Sequence, residues 1–464
     1  MKFISISVLF LFLAITGEKD RAALNSYPEV DGYWNVQLRS NDIGTVNTIL
    51  EFETSSDGSF KGWTRKSADR DILGFWKSTL ARIFTSDFKN GSLIRITDGT
   101  MERNEDALIL SGIFRSAMGN YYFNGEIIDN QMQVELKDGN FSKTGALFGE
   151  KVENRNFPLN DYQSIVSKAI DETKKRIYNR EVLETRDWES FEKDLTGKAG
   201  KFQDDIDLVF AFFYFARELP FSHYALTRME PAPGQTAGNE AKQYLSLEEK
   251  DNRTALLTIS SFSGTATEVD SVFSVIFEKD YKNLIVDLRN NTGGTVESGM
   301  AFARRIVDTP LTGGFFLTQK WFNENDFIPD SNQLDELPVF SEANYDLIIE
   351  GINREKGLVL KVQPSDVNFK GNLFILTNNQ TASTCEPIVH GLKTTGRATI
   401  VGERTAGAML NGERFELSSG FSLFVPTADY YTTDGFRIDQ NGVKPNIKLK
   451  DKDPVEYVMR KLIE

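Results

Sequence analysis

From about Thr254 to the C-terminus, predicted strands alternate with predicted helices, and this order constrains the fold more than any other feature of the chain. The strands are TALLTISSF (254–262), NLIVDLR (283–289), NLFILTN (372–378) and ATIVGE (398–403). Helical spacing fills TEVDSVFSVIFEK (267–279), TVESGMAFARRIVD (295–308) and STCEPIVHGLKTT (383–395). Repeated β-α-β units with short connections favour a mainly parallel sheet with crossover helices. We therefore predict an α/β core over residues 250–464, with an insertion or an excursion over the sheet at 312–370.

Residues 22–150 show a different periodicity of apolar and polar residues. Seven segments within residues 22–150 alternate apolar and polar side chains between turn sequences, which is typical of antiparallel strands. They are GYWNVQL (32–38), TILEFET (48–54), GSFKGWTRK (58–66), SLIRIT (92–97), ALILSGIF (107–114), YYFNGEII (121–128) and QMQVEL (131–136). This spacing predicts an all-β domain, either a barrel or a sandwich, at 22–150.

Residues 158–226 carry helical spacing and connect these two parts. YQSIVSKAIDETKKRIYNR (162–180) predicts one helix, and the strongly apolar stretch from Asp204 to Leu219 predicts another, which ends before Pro220. We therefore predict a helical subdomain between the β domain and the α/β core. A chain of 464 residues is long enough for two or three such domains.

The first twenty residues have the layout of a secretory signal peptide. A basic residue precedes an apolar run from Phe3 to about Ile15, and small and polar residues follow. The run is shorter than the ~20 residues that a membrane-spanning helix needs. We expect a signal peptide at 1–17 and an exported protein, periplasmic or extracellular, with no stable membrane insertion after the signal is removed.

The net charge and the cysteine content limit which binding partners and which covalent cross-links are expected. The formal net charge is −14, which argues against nucleic acid and against anionic membranes as partners. The single cysteine, Cys385, cannot form an internal disulfide, so stability must come from packing. The sequence contains no CxxC, HExxH or phosphate-binding glycine-lysine motif, and it implies no metal or cofactor. The sequence does not determine the oligomeric state, and oligomerisation is possible.

Two strand-to-helix junctions have unusual compositions. Ligands and catalytic groups in open α/β sheets gather where strands end and helices begin. In DLRNNTGG (287–294), Gly293 and Gly294 follow a buried strand. Glycines let backbone N–H groups point into a cavity, as an oxyanion hole requires. The alternative is a tight turn with no chemical role.

The second junction is NNQTASTCEP (378–387). Ser383 and Glu386 fit the capping box S-x-x-E, in which the serine side chain only starts a helix. The chemical interpretation is a nucleophilic serine at a strand-to-helix turn, with the Thr384 N–H as an oxyanion donor. Both interpretations stay open on the residues alone.

A nucleophilic serine needs a base, and the chain has two histidines. His390 lies seven residues after Ser383 on the same predicted helix, about 10 Å along its axis at ~1.5 Å per residue, which is beyond hydrogen-bond reach. His223, in ELPFSHYAL (218–226), is the remaining candidate. Cys385 is a competing nucleophile, but we favour a small buried side chain that faces the sheet.

Together these segments resemble the C-terminal processing (tail-specific) peptidase family over roughly residues 161–464. LPFSHYAL, TALLTISSFS, NLIVDLRNNTGG, QTASTCEPIVHGLK with RATIVGERTAG, and FRIDQNGVKPNIKL are similar to the family's motifs in the family's order. The resemblance implies a ClpP/crotonase-like α/β core and serine peptidase activity, with Ser383 as nucleophile. The β domain lies outside it.

The chain departs from the serine–lysine branch of that family. Ala408 stands at the position where that branch carries its lysine. The tricorn-like branch, which includes the interphotoreceptor retinoid-binding protein, places a serine–histidine pair in the early loop and a glutamate near the tail. Ser222 and His223 match the pair, and Asp439 stands at the glutamate position. Only about thirty residues separate His223 from the strand at Thr254, so no PDZ domain is expected.

Two functions follow as hypotheses. The first is an exported serine peptidase that acts on proteins or peptides. Ser383 is its nucleophile and His223 its base. Ser222 and Asp439 orient the imidazole, and Thr384 with Gly293 or Gly294 holds the oxyanion. The second is a non-catalytic module that binds an apolar ligand or a peptide on the same scaffold, because fold does not determine function.

Overall fold

The chain divides into two compact units in the computed structural model, which describes residues 27–40, 44–84, 88–116, 119–139, 143–155, 160–228, 243–342, 344–450 and 452–463. One unit comprises residues 1–160 and 201–208, and the other comprises 161–200 and 209–464. The two helices within 161–200 therefore group with the α/β core, although the sequence predicts a separate helical subdomain. The predicted signal peptide at 1–17 lies outside the described residues.

The first unit is built on antiparallel strands. They are β1 (Gly32–Ser40), β2 (Gly44–Thr54), β3 (Ser59–Trp63), β4 (Ile94–Asn104), β5 (Ala107–Ser116), β6 (Gly119–Ile128), β7 (Gln131–Lys137) and β8 (Lys143–Val152). Each strand pairs with its neighbour in sequence, β8 pairs with β1, and β1 also pairs with β2. The described residues thus form a closed eight-stranded antiparallel barrel, which confirms the barrel alternative.

The barrel interior is packed with large apolar side chains. Four buried aromatic side chains form a chain of contacts in which each ring touches the next, with ring centroids 5.7–6.4 Å apart. They are, in order, Trp34, Phe52, Phe60 and Phe123. Because successive side chains of a strand point to opposite faces, these apolar residues point into the barrel and the polar residues between them point outward. The barrel centre is therefore a hydrophobic core.

Two features of the first unit differ from the sequence prediction. The connection between β3 and β4 contains two helices, α1 (Ala68–Leu73) and α2 (Phe75–Phe84), where no helix is predicted. The eighth strand, β8, is also missing from the prediction, because Gly145 and Gly149 interrupt its apolar pattern. Pairing with β7 on one side and β1 on the other stabilises β8.

The second unit contains the α/β core. Its helices are α3 (Tyr162–Arg176), α4 (Arg186–Lys198), α5 (Asp205–Ala216, which begins in the first unit), α6 (Ala266–Glu278), α7 (Val296–Ile306), α8 (Gln319–Phe322), α9 (Ser331–Asp335), α10 (Tyr345–Arg354), α11 (Cys385–Thr394) and α12 (Pro454–Val458). Its strands are β9 (Ala225–Arg228), β10 (Leu245–Asp251), β11 (Thr254–Ile259), β12 (Asn283–Asp287), β13 (Leu311–Thr318), β14 (Val339–Phe340), β15 (Gly357–Val362), β16 (Asn372–Thr377), β17 (Thr399–Gly402), β18 (Leu410–Glu416), β19 (Phe421–Tyr431) and β20 (Ile447–Lys448).

Six of these strands form one sheet in the order β10-β11-β12-β16-β17-β20. Every pairing in it is parallel except that between β10 and β11, which confirms the mainly parallel sheet. Both faces are covered: Leu284 and Val286 of β12 belong to one apolar cluster, and Ile285 between them belongs to another. Burial on both faces explains the unbroken apolar runs of these strands.

A second, mixed sheet follows the order β9-β19-β13-β15-β14, with β18 on β19. Three of its strands, β13, β14 and β15, and the helices α8, α9 and α10 lie within residues 311–370, so this part of the chain contributes to the second sheet and not to the parallel one. Phe316 and Tyr430 of this sheet pack into the same apolar cluster as α6, α7 and α11. Within the part of the chain that the structure describes, no helix is long and apolar enough to cross a membrane.

Candidate active site

Two loops leave the same edge of the parallel sheet side by side. β12 and β16 are neighbours, and Asp287 lies opposite Leu376 at their carboxyl ends. The loop after β12 and the loop after β16 therefore start together. The Ala382 N–H donates to the Asn291 carbonyl oxygen at 3.0 Å and joins the two loops.

Gly293 lies directly against Ser383. A Cβ atom at residue 293 would stand 2.6 Å from the Ser383 Cβ, and its φ of 102° is one that other residues rarely adopt. Only glycine allows this approach. The Gly293 N–H donates to Asn291 Oδ1 at 2.8 Å and is thus already engaged.

Ser383 adopts a left-handed conformation with φ 54°, two residues before α11 begins at Cys385. The helix N-cap is Thr384, and no side chain caps the helix. Only half of the predicted capping box forms, because Glu386 Oε2 accepts the Ser383 N–H at 3.2 Å while the Ser383 hydroxyl points elsewhere. The Ser383 side chain therefore does not cap the helix.

Glu386 connects the Ser383 turn to the loop after β17. Its buried carboxylate accepts the Thr405 hydroxyl at 2.6 Å and the backbone N–H groups of Gly407 and Ala408, both at 2.8 Å. Burial raises the pKa of Glu386, and these hydrogen bonds counteract the shift. Ala408, at the position where the resemblance expects a lysine, also accepts the Ser383 N–H at 3.0 Å.

A row of hydrogen-bonded side chains ends at the Ser383 hydroxyl. The Ser383 Oγ lies 3.4 Å from His223 Nε2, and His223 Nδ1 lies 2.7 Å from Ser222 Oγ. The Ser222 hydroxyl donates to Asp439 Oδ1 at 2.5 Å. The four side chains that the sequence singles out are thus brought together, from residues up to 217 positions apart.

The hydrogen bonds determine which nitrogen of His223 carries the proton. Ser222 has one hydroxyl hydrogen, and the Asp439 carboxylate takes it. The Nδ1 of His223 must then donate to Ser222 Oγ, which leaves the lone pair of Nε2 facing Ser383. Burial lowers the pKa of His223, and the nearby Asp439 opposes that shift. His223 also adopts a left-handed φ of 55°.

Asp439 is held by further donors. The Met409 N–H donates to its Oδ1 at 3.0 Å, and Arg437 Nη2 donates to its Oδ2 at 3.2 Å. Arg437 also binds the buried Asp429 through Nε at 2.8 Å. Burial and the repulsion of Asp439 raise the pKa of Asp429 to about 6, and Arg437 opposes that shift. Asp439 therefore reaches its hydrogen-bond donors, although its side chain is shorter than that of the glutamate expected at this position.

The other candidate nucleophiles are engaged elsewhere. The Thr381 hydroxyl donates to the Leu288 carbonyl at 2.8 Å. Cys385 is fully buried, and burial raises the pKa of its thiol far above the usual value. The second histidine, His390, stacks its ring on Phe436 with centroids 6.2 Å apart.

Two backbone N–H groups beside Ser383 lack an acceptor among the described residues. They belong to Gly294 and Thr384. The Thr384 hydroxyl donates to the Gly294 carbonyl at 2.9 Å, so the two residues are held together. Backbone N–H groups without an acceptor are what an oxyanion hole requires.

An apolar cavity of about 70 Å³ adjoins this turn, with Thr384 and Met409 in its wall. The remaining lining is almost entirely aliphatic and aromatic and includes Val296, Met300, Leu311, Phe316, Leu360 and Ile388. A cavity of about 150 Å³ holds a benzene ring. This smaller one suits a short aliphatic side chain.

Sequence reasoning missed two parts of the site. Arg437 precedes Asp439 by two residues, a spacing that puts both on one side of an extended segment, and this signal was available. Asn291, which holds the Gly293 N–H, gave no signal beyond its place in NNTGG. Among the described residues, no group of three or more His, Cys, Asp or Glu side chains could hold a metal ion.

Comparison with known proteins gives a family for part of the chain. Residues 253–449 match Peptidase family S41. The carboxyl-terminal-processing peptidase 3 of Arabidopsis thaliana chloroplasts is 27% identical over 42% of this chain and 31% of its own length. A carboxyl-terminal-processing protease of a Picosynechococcus species is 26% identical over 47% of this chain and 44% of its own length. The chain thus spans less than half the length of these curated relatives.

Solved structures show weaker likeness. A lipoprotein from Streptococcus agalactiae superposes with a TM-score of 0.45 and 17% identity, over 66% of this chain and 98% of that chain. The family match covers Ser383 and Asp439, but it begins after Ser222 and His223.

Removing the Glu386 carboxylate should destabilise the protein strongly. Glu386→Ala leaves several buried donors without an acceptor, and we expect the free energy of unfolding to fall by about 3 kcal/mol or more. The matched control is Glu336→Ala, at an exposed glutamate, which should change it by less than about 0.5 kcal/mol. Denaturant titration measures both, and equal effects would contradict the role given to Glu386.

Proposed function

We propose, from the peptidase family S41 domain that the chain carries at residues 253–449, that this protein is an exported serine peptidase that hydrolyses peptide bonds in proteins or peptides. The single observation that carries the proposal is the row of contacts from Asp439 through Ser222 and His223 to Ser383. Such a row supplies a nucleophile, a base and an orienting carboxylate in the order that acyl transfer needs.

The proposed reaction begins at Ser383. Its Oγ attacks the peptide carbonyl carbon while His223 Nε2 takes the hydroxyl proton. The imidazolium that forms is stabilised by the Asp439 carboxylate, whose charge acts through the Ser222 hydroxyl. His223 then gives the proton to the leaving amine, and a water molecule, activated in the same way, releases the acyl group.

The negative charge on the carbonyl oxygen needs donors at the moment of attack. We assign this role to the N–H groups of Gly294 and Thr384, because the Gly293 N–H is already bonded to Asn291. Thr384 is also the N-cap of α11, where the helix dipole favours negative charge. Removing one such donor typically costs on the order of 100-fold or more in rate.

The proposal also includes a ClpP/crotonase-like arrangement of the core, a periplasmic or extracellular location and the absence of a PDZ domain.

The apolar cavity beside Thr384 indicates a preference for certain substrate side chains. We assign it to the side chain on the acyl side of the cleaved bond, so short aliphatic residues are preferred there.

Ser383 should be the residue that reacts covalently. A fluorophosphonate probe should label the wild-type protein at Ser383, and Ser383→Ala should lose labelling and at least about 1,000-fold of its casein- or peptide-cleaving activity. The control is Ser331→Ala, at an exposed serine of α9, which should keep both. Correctly folded wild-type protein without labelling would instead support the non-catalytic binding module.

The pH dependence of kcat/KM should report His223. The base must be neutral, and burial favours the neutral imidazole, so the pKa of His223 lies below its usual 6.5. Activity should therefore be fully present at neutral pH and be lost only as the pH falls below 6.5. Asp429 also titrates near 6, so the same profile is measured in Asp429→Asn. An acid limb above pH 6.5, or one that disappears in Asp429→Asn, would contradict this assignment.

The apolar cavity should determine the preferred residue on the acyl side. Gly313 lines the cavity, and a Cβ there would find only ordinary contacts, at 3.7 Å or more, so we expect the side chain of Gly313→Val to reduce the cavity volume. We expect kcat/KM for peptides cleaved after Leu or Val to fall about tenfold, with peptides cleaved after Ala little changed. Gly197→Ala, in open space on α4, is the control. Equal losses for all peptides would contradict the assignment.

A further inference from the structure

Helix α2 of the first unit (Phe75–Phe84) exposes large apolar side chains to solvent. Among the side chains of this helix that the structure describes, Ser78 is fully buried, whereas four large apolar side chains face solvent. Their exposed fractions are 57% for Phe75, 77% for Trp76, 54% for Leu80 and 67% for Ile83. A surface helix of a globular protein normally does the opposite and buries its apolar side.

The four exposed side chains lie on one side of the helix. At about 100° per residue they fall within an arc of about 140°, and Ser78 lies on the opposite side. Three of them follow the i, i+4, i+7 spacing of a contact surface, namely Trp76, Leu80 and Ile83. An apolar stripe of this kind on a solvent-facing helix indicates a binding surface.

The surroundings of the stripe are basic. Between residues 66 and 84, the exposed charged side chains are Lys66, Arg70 and Lys77, and the Arg70 guanidinium lies over the Phe75 ring of α2 at 5.6 Å. The acidic residues in this segment are neutralised: the buried Asp69 binds Arg82 at 2.6 Å, and Asp71 binds Arg65 at 2.5 Å. This local excess contrasts with the net charge of −14 for the whole chain, so the average charge does not describe this surface.

We propose that α2 docks the protein on the surface of a lipid bilayer that contains anionic headgroups. Trp76 and Phe75 would occupy the headgroup level, Leu80 and Ile83 would reach the acyl boundary, and Lys77 with its basic neighbours would bind the headgroups. The attachment is peripheral and needs no spanning helix. It does not depend on the proposed peptidase activity.

Charge favours the bilayer over a second copy of this chain. In a two-fold pair the same surface of each copy would face the other, and the exposed cations around α2 would meet their own duplicates. Residues 66–84, which the structure describes, contain no exposed acidic side chain that could compensate them. An anionic bilayer is complementary to both the apolar stripe and its basic surroundings.

Tryptophan fluorescence of the full chain offers a direct test, because Trp76 is its exposed indole. Trp34, Trp188 and Trp321 are buried, and Trp63 is half-buried under Lys66. Vesicles of phosphatidylglycerol and phosphatidylcholine should shift the emission to shorter wavelength, and brominated acyl chains should quench it. Trp76→Phe should still sediment with the vesicles but lose the shift and the quenching.

Co-sedimentation measures the contributions to binding. Trp76→Ser/Leu80→Ser/Ile83→Ser should lower partitioning at least about tenfold. Lys66→Glu/Arg70→Glu/Lys77→Glu should lower it about fivefold per residue on anionic vesicles only. Val275→Ser/Val339→Ser, at exposed apolar positions elsewhere, is the matched control and should bind like wild type. All variants carry the same N-terminal apolar run, so differences between them isolate α2.

Three outcomes would overturn the proposal. The first is unchanged tryptophan emission with anionic vesicles. The second is a triple serine variant that folds, by its circular-dichroism melting curve, and binds vesicles like wild type. The third is sedimentation analysis in which that variant loses an oligomer without losing vesicle binding, which would assign the stripe to contact between copies.

Discussion

The parallel pairing of β12 with β16 is the constraint on which the candidate site depends. Because the two strands run side by side in the same direction, the Gly293–Gly294 turn and the Ser383 turn emerge together at one edge of the sheet. A slip of one residue would exchange the side chains that face the two apolar clusters, so burial on both faces keeps the register fixed. The position of Ser383 next to Gly293 therefore depends on how the side chains of the parallel sheet pack into the two apolar clusters.

Buried carboxylates then connect the separate parts of the chain to this edge. Glu386 binds the loop after β17 to the Ser383 turn, and Asp439 binds Ser222 and Met409 to the segment after β19. Burying a carboxylate is costly unless donors compensate it, and each of these two accepts four or more hydrogen bonds or ion-pair contacts. Beside these contacts, Ser383 and His223 adopt left-handed conformations, which cost of order 1–3 kcal/mol each and cluster at functional sites.

Much of this arrangement was predictable from the sequence, and the reasons differ between its parts. The parallel sheet followed from alternating strand and helix patterns, and His223 followed from the scarcity of histidines. Local pattern could not decide between a helix-capping and a free Ser383, because S-x-x-E fits both; the register of the turn with Ala408 and Gly293 decides it. Helix α2 is not predicted from the sequence, although Trp76, Leu80 and Ile83 follow helical spacing, because the helix is only 10 residues long and lies among strand patterns. Strand β8 is not predicted because Gly145 and Gly149 interrupt the apolar pattern of that strand.

We propose that Asp439, acting through Ser222, sets the protonation of His223 so that Nε2 can accept the Ser383 proton. Nitrogen-15 NMR of the imidazole measures this directly, and a His390 variant assigns the signals because the chain has two histidines. We expect neutral His223 to carry its proton on Nδ1, and Ser222→Ala to shift the population toward the Nε2-protonated form. A wild-type His223 protonated on Nε2 at neutral pH would contradict it.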